Sequence, residues 1–316
     1  FPVESSLHEQ LTDHLNAEVV AGTVRSPQDA IDYLTWTYLF RRLAKNPTYY
    51  GLDGTTSSDV NDYLSSLVED SLTALEASGC VSIDDHGGSG PYALLPTPLG
   101  KVASLCYLRH ETAGIFALKM REGMGTEELL ECLCAAAEFD ELPVRHNEDA
   151  LNLELADEVP VRVDLNTVDD PHTKAHLLLQ AHLSRLVLPV SDYITDTKTV
   201  LDSTLRLAAA MVDISAQAGW LDTTLALLAL QRALRQARWP EDPPLSVLPG
   251  VSLQAAKQLA RGKGLGGAGG LAALASKSRG EALRAMGHAL GSGNGVESGG
   301  TSRAMAMLEA LPLLSA

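Results

Sequence analysis

Apolar residues recur with helical spacing along most of the stretch from residue 98 to residue 238, and this periodicity limits the possible folds more than any other feature. The periodic segments are residues 98–121, 126–138, 147–157, 171–187, 195–218 and 221–238. Most breaks between them carry proline or glycine, as at Pro160, Pro189 and Gly219. Because a 3.6-residue period places apolar side chains on one face of a helix, the pattern predicts a bundle of about six or seven helices.

The first 95 residues follow a different pattern, in which three helical segments precede two short strands. Helices are predicted over residues 5–21, 29–45 and 58–79, and strands over residues 80–83 and 92–95. Ser26 is a suitable N-cap for the second helix, with Pro27 in its first turn. Three helices followed by a β-hairpin is the order of a winged-helix domain. A plain helical bundle with an irregular loop is the alternative interpretation.

These patterns together predict a mostly α fold with four parts. They are a winged-helix domain over residues 1–95, a helical bundle over 96–240, a small helix-loop-helix over 241–262 and a tail over 263–316. The tail is rich in Gly, Ala and Ser and poor in aromatic residues, so we expect it to be flexible and disordered. No apolar run approaches the ~20 residues that span a bilayer, so no membrane partner is expected.

Charge is distributed unevenly along the chain, whose formal net charge is −16. Residues 1–170 contain 10 Lys and Arg against 30 Asp and Glu, whereas residues 171–316 contain 14 against 10. An acidic first half repels phosphate at long range. Any contact with a nucleic-acid strand is therefore expected in the second half, as a local contact and not as a broad basic patch.

No catalytic or metal-binding motif is visible in the chain. His172 and His176 have the i, i+4 spacing of a zinc-binding helix, but Thr173 occupies the position where such sites carry glutamate, so we interpret the histidines as packing positions. The letters GxGxxG at residues 262–267 lack a preceding strand. No GxxxxGK[ST] loop occurs, so the chain cannot hydrolyse ATP alone.

Several blocks of sequence resemble one protein family. They are His172-Thr-Lys-Ala-His-Leu-Leu-Leu-Gln-Ala-His-Leu-Ser-Arg185 with Asp192-Tyr193 and Thr195-Asp-Thr-Lys-Thr-Val-Leu201, Glu141-Leu-Pro-Val-Arg-His-Asn-Glu-Asp149, and Tyr33-Leu-Thr-Trp-Thr-Tyr-Leu-Phe-Arg-Arg42. From Phe1 to about Gly250 the chain resembles the Sec sixty-three homology module that follows the motor domains of superfamily-two nucleic-acid helicases. The nearest branch of that family is the large helicase subunits of activating signal cointegrator complexes.

The resemblance implies that the helix from Thr199 to Gln217 is a ratchet helix that crosses a channel and touches the unwound strand. The family's strand-touching residues align with Ser203 and Arg206. A guanidinium can hold phosphate oxygens or stack on a base, and a hydroxyl can bond a phosphate. The alternative is that Arg206 only pairs with Asp202 at i, i+4 on a solvated face.

The resemblance also implies a setting for the whole protein. The parent would be an ATP-dependent 3′-to-5′ helicase with ATP and Mg²⁺ in motor domains that this chain lacks, and no cofactor is expected in the chain itself. Expected partners are those motor domains, single-stranded DNA or RNA, and other subunits of the activating signal cointegrator complex. DNA alkylation repair, ribosome quality control, and a location in nucleus and cytosol are implied.

Two departures from the family pattern make the chain either a fragment, a divergent gene model or a free-standing module. The motor domains are absent, and a Gly/Ala/Ser tail stands where an immunoglobulin-like sandwich would follow. Arg41 and Arg42 in the winged-helix segment are expected to serve docking onto the motor domains more than contact with a nucleic-acid groove. The alternative function is a protein-interaction scaffold without strand contact, which the acidic first half would suit.

Overall fold

The computed structural model describes residues 3–52, 54, 56–84, 92–248, 251–261 and 281. The chain divides into two compact units. The first unit is Phe1–Leu179 with Leu188–Gln231, and the second is Gln180–Val187 with Arg232–Ala316. The winged-helix segment and most of the helical bundle therefore share one compact unit. The tail predicted over residues 263–316 lies, except for Glu281, outside the described residues.

The N-terminal part of the first unit is a winged helix. Its elements are α1 Leu11–Ala21, α2 Pro27–Thr35, α3 Tyr38–Leu43, α4 Ser57–Ala77, β1 Val81–Asp84 and β2 Ala93–Pro96. The strands pair antiparallel, with Val81 opposite Pro96 and Asp84 opposite Ala93. Ser26 caps α2 by accepting a hydrogen bond from the Asp29 amide at 3.2 Å, as predicted. The predicted helix and hairpin order is confirmed.

The helix predicted over residues 29–45 is wrong as one element, because it breaks at Trp36 and Thr37 into α2 and α3. The Thr37 hydroxyl donates to the Leu34 carbonyl at 2.6 Å and caps the first turn of α3. A threonine that bonds local backbone groups can end one helix and start another even where the apolar spacing continues. Trp36 is left 88% exposed at this break.

The helical bundle begins directly after β2. Its helices are α5 Pro98–Cys106, α6 His110–Lys119, α7 Thr126–Cys134, α8 Asp149–Glu158, α9 Pro171–Ser184, α10 Ser191–Gln217 and α11 Leu221–Gln236. The helix predicted over residues 98–121 is wrong as one element, since Tyr107 has a left-handed backbone (φ 52°) that separates α5 from α6. The Leu108 amide then donates back to the Ala103 carbonyl at 2.8 Å, which closes the end of α5.

Helix α10 is 27 residues long and packs against α5, α6 and α7. Its fully buried side includes Tyr193, Val200, Leu207 and Met211. Leu201, Leu205 and Val212 border this side and are only half-buried. The buried side also takes in Thr197 and Thr204, whose hydroxyls bond the carbonyls one turn earlier at 2.6 and 2.7 Å. A threonine whose hydroxyl is hydrogen-bonded in this way can occupy a core position.

The second unit contains a 3-10 turn at Pro244–Val247 and helix α12 at Leu253–Arg261, and residues 249 and 250 between them are not described. Arg185 donates to the carbonyls of Gln236, Ala237 and Ser246 at 3.2, 2.6 and 2.8 Å. One guanidinium thus satisfies carbonyls at the end of α11 that have no helical partner. Within the described ranges, no helix combines the length and apolarity of a membrane span.

Candidate nucleic-acid interface on helix α10

Arg206 lies at the centre of α10 and reaches the C-terminal end of α5. Its Nη1 donates to the Cys106 carbonyl at 3.1 Å and to the Tyr107 carbonyl, and it lies 3.7 Å from Glu138 Oε1. A guanidinium at a helix C-terminus satisfies unpaired carbonyls and interacts favourably with the helix dipole. The Arg206 side chain remains 32% exposed. It therefore has a structural role and still reaches solvent.

The contacts of Arg206 do not follow the alternative interpretation of a pair with Asp202. The carboxylate beside Arg206 is Glu138, and no described ion pair includes Asp202, which is exposed. All described contacts of the guanidinium are made by Nη1, which leaves Nε and Nη2 available. One turn earlier, Ser203 is half-buried, and its hydroxyl has no hydrogen-bond partner among the described residues.

The side of α10 opposite the core forms a polar stripe that faces solvent. Its exposed polar members are Thr195, Lys198, Thr199, Asp202, Asp213 and Gln217. Arg206 and Ser203 lie along one edge of this stripe, where α10 borders the end of α5. Both residues predicted to touch a strand are thus on the same helix border, and neither is fully buried.

A cluster of buried charges holds the N-terminal half of α10. Lys174 on α9 is fully buried, and its Nζ lies 2.6 Å from Glu148 Oε2, 2.6 Å from Asp196 Oδ2 and 2.7 Å from the Pro143 carbonyl oxygen. The ammonium also lies 4.9 Å from the centre of the Tyr193 ring. One cation thus connects the residues before α8 to α9 and α10.

Arg145 completes this buried cluster. Its Nη1 lies 2.6 Å from Glu148 Oε1 and 3.0 Å from Asp196 Oδ2, so two cations meet two carboxylates. Burial raises the pKa of both carboxyls, but hydrogen bonds from Lys174 and Arg145 outweigh it, and both pKa values lie below their ordinary range. Leaving one member of such a set unpaired typically costs roughly 3–5 kcal/mol.

Tyr193 extends the cluster toward α8. Its hydroxyl donates to Asn152 Oδ1 at 2.6 Å, and Asn152 Nδ2 donates to the Val168 carbonyl at 2.8 Å. Burial, followed by the charges of Glu148 and Asp196, raises the pKa of Tyr193. The phenol therefore stays protonated and keeps donating. The start of α10 is fixed by polar contacts that are shielded from water.

The histidines take structural positions. His172 places Nδ1 2.9 Å from the Cys134 carbonyl oxygen and Nε2 3.0 Å from Asp140 Oδ1, and His182 places Nε2 2.8 Å from the Leu234 carbonyl oxygen. In the part of the chain that the structure describes, no group of three or more His, Cys, Asp or Glu could hold a metal ion.

His176 is the exception among these histidines because its Nε2 is buried without a partner. It borders a cavity of about 280 Å³ between the ends of α6 and α7, the segment around residues 162–167 and the start of α9. Burial lowers the pKa of His176 to about 4, so the imidazole is neutral at physiological pH.

The basic pair of the winged helix is divided between two roles. Arg42 turns inward, with Nη2 2.5 Å from Glu4 Oε1 and Nε 3.0 Å from Glu4 Oε2, and its hydrogen bonds hold the pKa of Glu4 at about 2. Arg41 is exposed. Arg42 therefore ties the N-terminal segment to α3 and is not presented to a nucleic-acid groove.

Two protein families match the chain, and they follow each other in sequence. Residues 4–85 match a family described as a winged helix-turn-helix domain, and residues 96–265 match the Sec63 Brl domain. The second match covers more than half of the chain. The chain belongs to the Sec63 Brl domain family.

Relatives of this Sec63 Brl chain include a cointegrator complex subunit from animals and helicases from a plant and a yeast. Activating signal cointegrator 1 complex subunit 3 of Bos taurus is 51% identical over 251 residues, which are 79% of this chain and 11% of the relative. The DExH-box ATP-dependent RNA helicase DExH14 of Arabidopsis thaliana is 48% identical over 250 residues, with the same coverage of both chains. The RQC trigger complex helicase SLH1 of Saccharomyces cerevisiae is 41% identical over 265 residues, or 81% of this chain and 13% of the relative.

This Sec63 Brl chain thus spans only 11 to 13% of the length of these relatives. The resemblance inferred from the sequence is confirmed at the level of family, winged helix and helicase relatives. Glu148, Lys174 and Asp196 lie within the blocks that carry the resemblance, yet no role was predicted for them. The sequence did contain one signal of a buried charge, because Lys174 is followed directly by the largely apolar run Ala175-His-Leu-Leu-Leu179.

Proposed function

We propose that this Sec63 Brl chain is a non-motor module of an ATP-dependent nucleic-acid helicase, which braces the motor domains and guides the unwound single strand along α10. The observation that carries the proposal is the polar stripe of α10 with Ser203 and Arg206 at its edge. A rigid helix with a free hydroxyl and two available guanidinium nitrogens is suited to successive phosphate contacts.

The buried cluster supports the guiding role because a strand contact needs a helix whose position in the protein is fixed. Lys174, Glu148 and Asp196 fix the first turns of α10, and Arg206 ties its middle to α5. A site built on a rigid element positions its contacts more accurately than a loop does. ATP and Mg²⁺ would be bound by the motor domains, which we place outside this chain.

The bracing role rests on the exposed aromatic residues of the winged helix. Trp36 is 88% exposed and Tyr38 is 51% exposed, and both flank the start of α3. Exposed tryptophan and tyrosine side chains are common anchors of protein interfaces. We assign this aromatic surface to the docking of the motor domains.

The names of the relatives suggest the wider setting of the proposal. They point to partners among the other subunits of an activating signal cointegrator complex and to ribosome quality control. We extend the proposal to DNA alkylation repair and to a nuclear and cytosolic location, in line with the family resemblance. Single-stranded DNA and RNA are both candidate strands.

Binding of a fluorescent single-stranded oligonucleotide, measured by anisotropy at low salt, tests the strand contact. Arg206→Ala should weaken binding about tenfold, since a hydrogen-bonded charge contact is lost. Asp202→Asn should tighten binding, because it removes an exposed negative charge from the stripe without breaking a described contact. Lys101→Ala is the control, because it also removes one positive charge but does so at an exposed position on α5.

The scaffold without strand contact is the second candidate function, and the excess of carboxylates in residues 1–170 favours it. It predicts that the wild type and all three variants bind the oligonucleotide equally weakly. That outcome would overturn the strand-guiding proposal. Thermal unfolding of each variant separates a lost contact from a lost fold, because Asp202→Asn leaves every described contact in place.

A further inference from the structure

Tyr107 is an exposed aromatic residue beside the strand-contact edge of α10. Its side chain is 84% exposed, and its hydroxyl has no partner among the described residues. No described cation lies over its ring, and the cation–π contact that the structure contains joins Lys174 to Tyr193. The Tyr107 side chain is therefore largely open to solvent.

The backbone at Tyr107 has a conformation that residues other than glycine rarely adopt. Its φ is 52°, in the left-handed region, where glycine is the usual residue at the end of a helix. The chain places glycine at five other positive-φ positions of the described residues, and three of these are Gly22, Gly79 and Gly219. A tyrosine here introduces local strain that a glycine would avoid.

Arg206 contacts the backbone at this turn and joins Tyr107 to the proposed strand contact. The guanidinium donates through Nη1 to the carbonyls of Cys106 and Tyr107. The residue that carries the ring and the cation therefore meet at the same turn of backbone, and Nε and Nη2 of Arg206 make no described contact. An open ring beside an available guanidinium has the two chemical groups that a single nucleotide needs, a stacking surface and a phosphate ligand.

We propose that Tyr107 is a base-stacking platform that forms, with Arg206, a one-nucleotide subsite at the end of α5. The ligand is a nucleobase of a single strand whose neighbouring phosphate is held by Arg206. This inference rests on the proposed strand contact of α10 and assigns a base to it. Stacking accepts every base, because each has an aromatic face, so the subsite is indifferent to sequence.

The alternative occupant of this surface is an apolar segment of a partner protein, since Leu105 nearby is also 76% exposed. The observations favour a nucleotide because the adjoining polar group is a guanidinium with free donors. A purely apolar segment has no acceptor for those donors, whereas a nucleotide supplies phosphate oxygens. The test therefore compares probes that differ only in their bases.

Two oligonucleotides of equal length serve as probes in an anisotropy experiment, one with bases and one built of abasic deoxyribose phosphate. Tyr107→Gly removes the ring and relieves the left-handed strain, so the fold should be retained or stabilised. Tyr107→Gly should weaken binding of the base-bearing probe about tenfold and leave the abasic probe unchanged. Tyr107→Trp should keep or strengthen binding of the base-bearing probe.

The outcomes distinguish this inference from the proposed function. If Arg206→Ala weakens both probes while Tyr107→Gly changes neither, the stacking platform is refuted and the strand contact stands. If neither probe binds the wild type, both proposals fail. A loss of thermal stability in Tyr107→Gly would contradict the assignment of strain at this position.

Discussion

Replacing Lys174 with methionine removes the ammonium at the centre of the buried cluster and keeps a side chain of similar length. Glu148 and Asp196 then share only Arg145, whose side chain is 39% exposed and whose Nη1 already contacts both carboxylates. Removal of one partner from a buried ionic set costs roughly 3–5 kcal/mol. Because Arg145 still compensates part of the charge, we expect the lower end of this range, about 3 kcal/mol.

Urea unfolding followed by circular dichroism measures this loss. With a slope of about 2 kcal/mol per M, the midpoint should fall by about 1.5 M. Lys198→Met is the matched control, because Lys198 lies on the exposed stripe of the same helix and no described contact depends on it. The control should change the free energy of unfolding by less than about 0.5 kcal/mol.

A double variant tests whether the loss arises from unpaired charge. Asp196→Asn in the Lys174→Met background removes a carboxylate that has lost one of its two cationic partners. The double variant should therefore lose at least about 1 kcal/mol less than the sum of the two single changes. Additive losses, or a Lys174→Met midpoint equal to that of Lys198→Met, would refute the reasoning.

Two further predictions concern the remaining core. The pKa of His176 is about 4 in the folded protein, whereas its ordinary value is 6.5, so the unfolded chain binds the proton more tightly. The stability that comes from keeping His176 neutral is fully present above pH 6.5 and is lost as the pH falls toward 4. The free energy of unfolding should drop by about 2 kcal/mol between pH 7 and pH 5, and His176→Leu should remove that drop, whereas His146→Gln, at an exposed histidine, should retain it. Gly100→Ala would place a methyl group against the Cys80 carbonyl oxygen and 2.8 Å from Asn16 Oδ1, so thermal unfolding should show a loss of about 2 kcal/mol or more. Gly125→Ala, which meets no atom within 4 Å but changes the N-cap of α7, should cost no more than about 1 kcal/mol, and equal effects of the two substitutions would contradict the packing argument.

The broad fold was predictable because it depends on local signals. Apolar spacing marked the helices, Ser26 marked the start of α2, and the short strands around residues 80–83 and 92–95 marked the hairpin. These features arise from side chains close together in sequence. Local spacing alone therefore identifies the class of fold and the approximate bounds of most elements.

The breaks at Thr37 and Tyr107 could not be predicted from the same spacing. At Thr37 the hydroxyl competes with the helix for backbone groups, while the apolar pattern continues through the break. At Tyr107 the left-handed turn is held by Arg206, which is 99 residues away in sequence. A contact between residues so far apart in sequence does not change the local spacing of apolar residues.

The candidate site was only partly predictable for a related reason. The resemblance drew attention to Ser203 and Arg206, and the structure places them on one border of α10. The second role of Arg206, as a cap for α5, depends on tertiary packing. The burial of Thr197 and Thr204 on α10 could not be predicted, because hydrophobic patterning counts threonine as polar.

Photo-crosslinking from the polar stripe of α10 tests the central claim most directly. A benzophenone amino acid is placed at Asp202 on the exposed stripe, and at Ser65 on the exposed side of α4 as a control. Irradiation with a labelled single-stranded oligonucleotide should yield a covalent adduct from position 202 and none from position 65. Equal labelling at both positions, or none from position 202 while the strand is bound, would contradict the assignment of α10 as the strand-guiding helix.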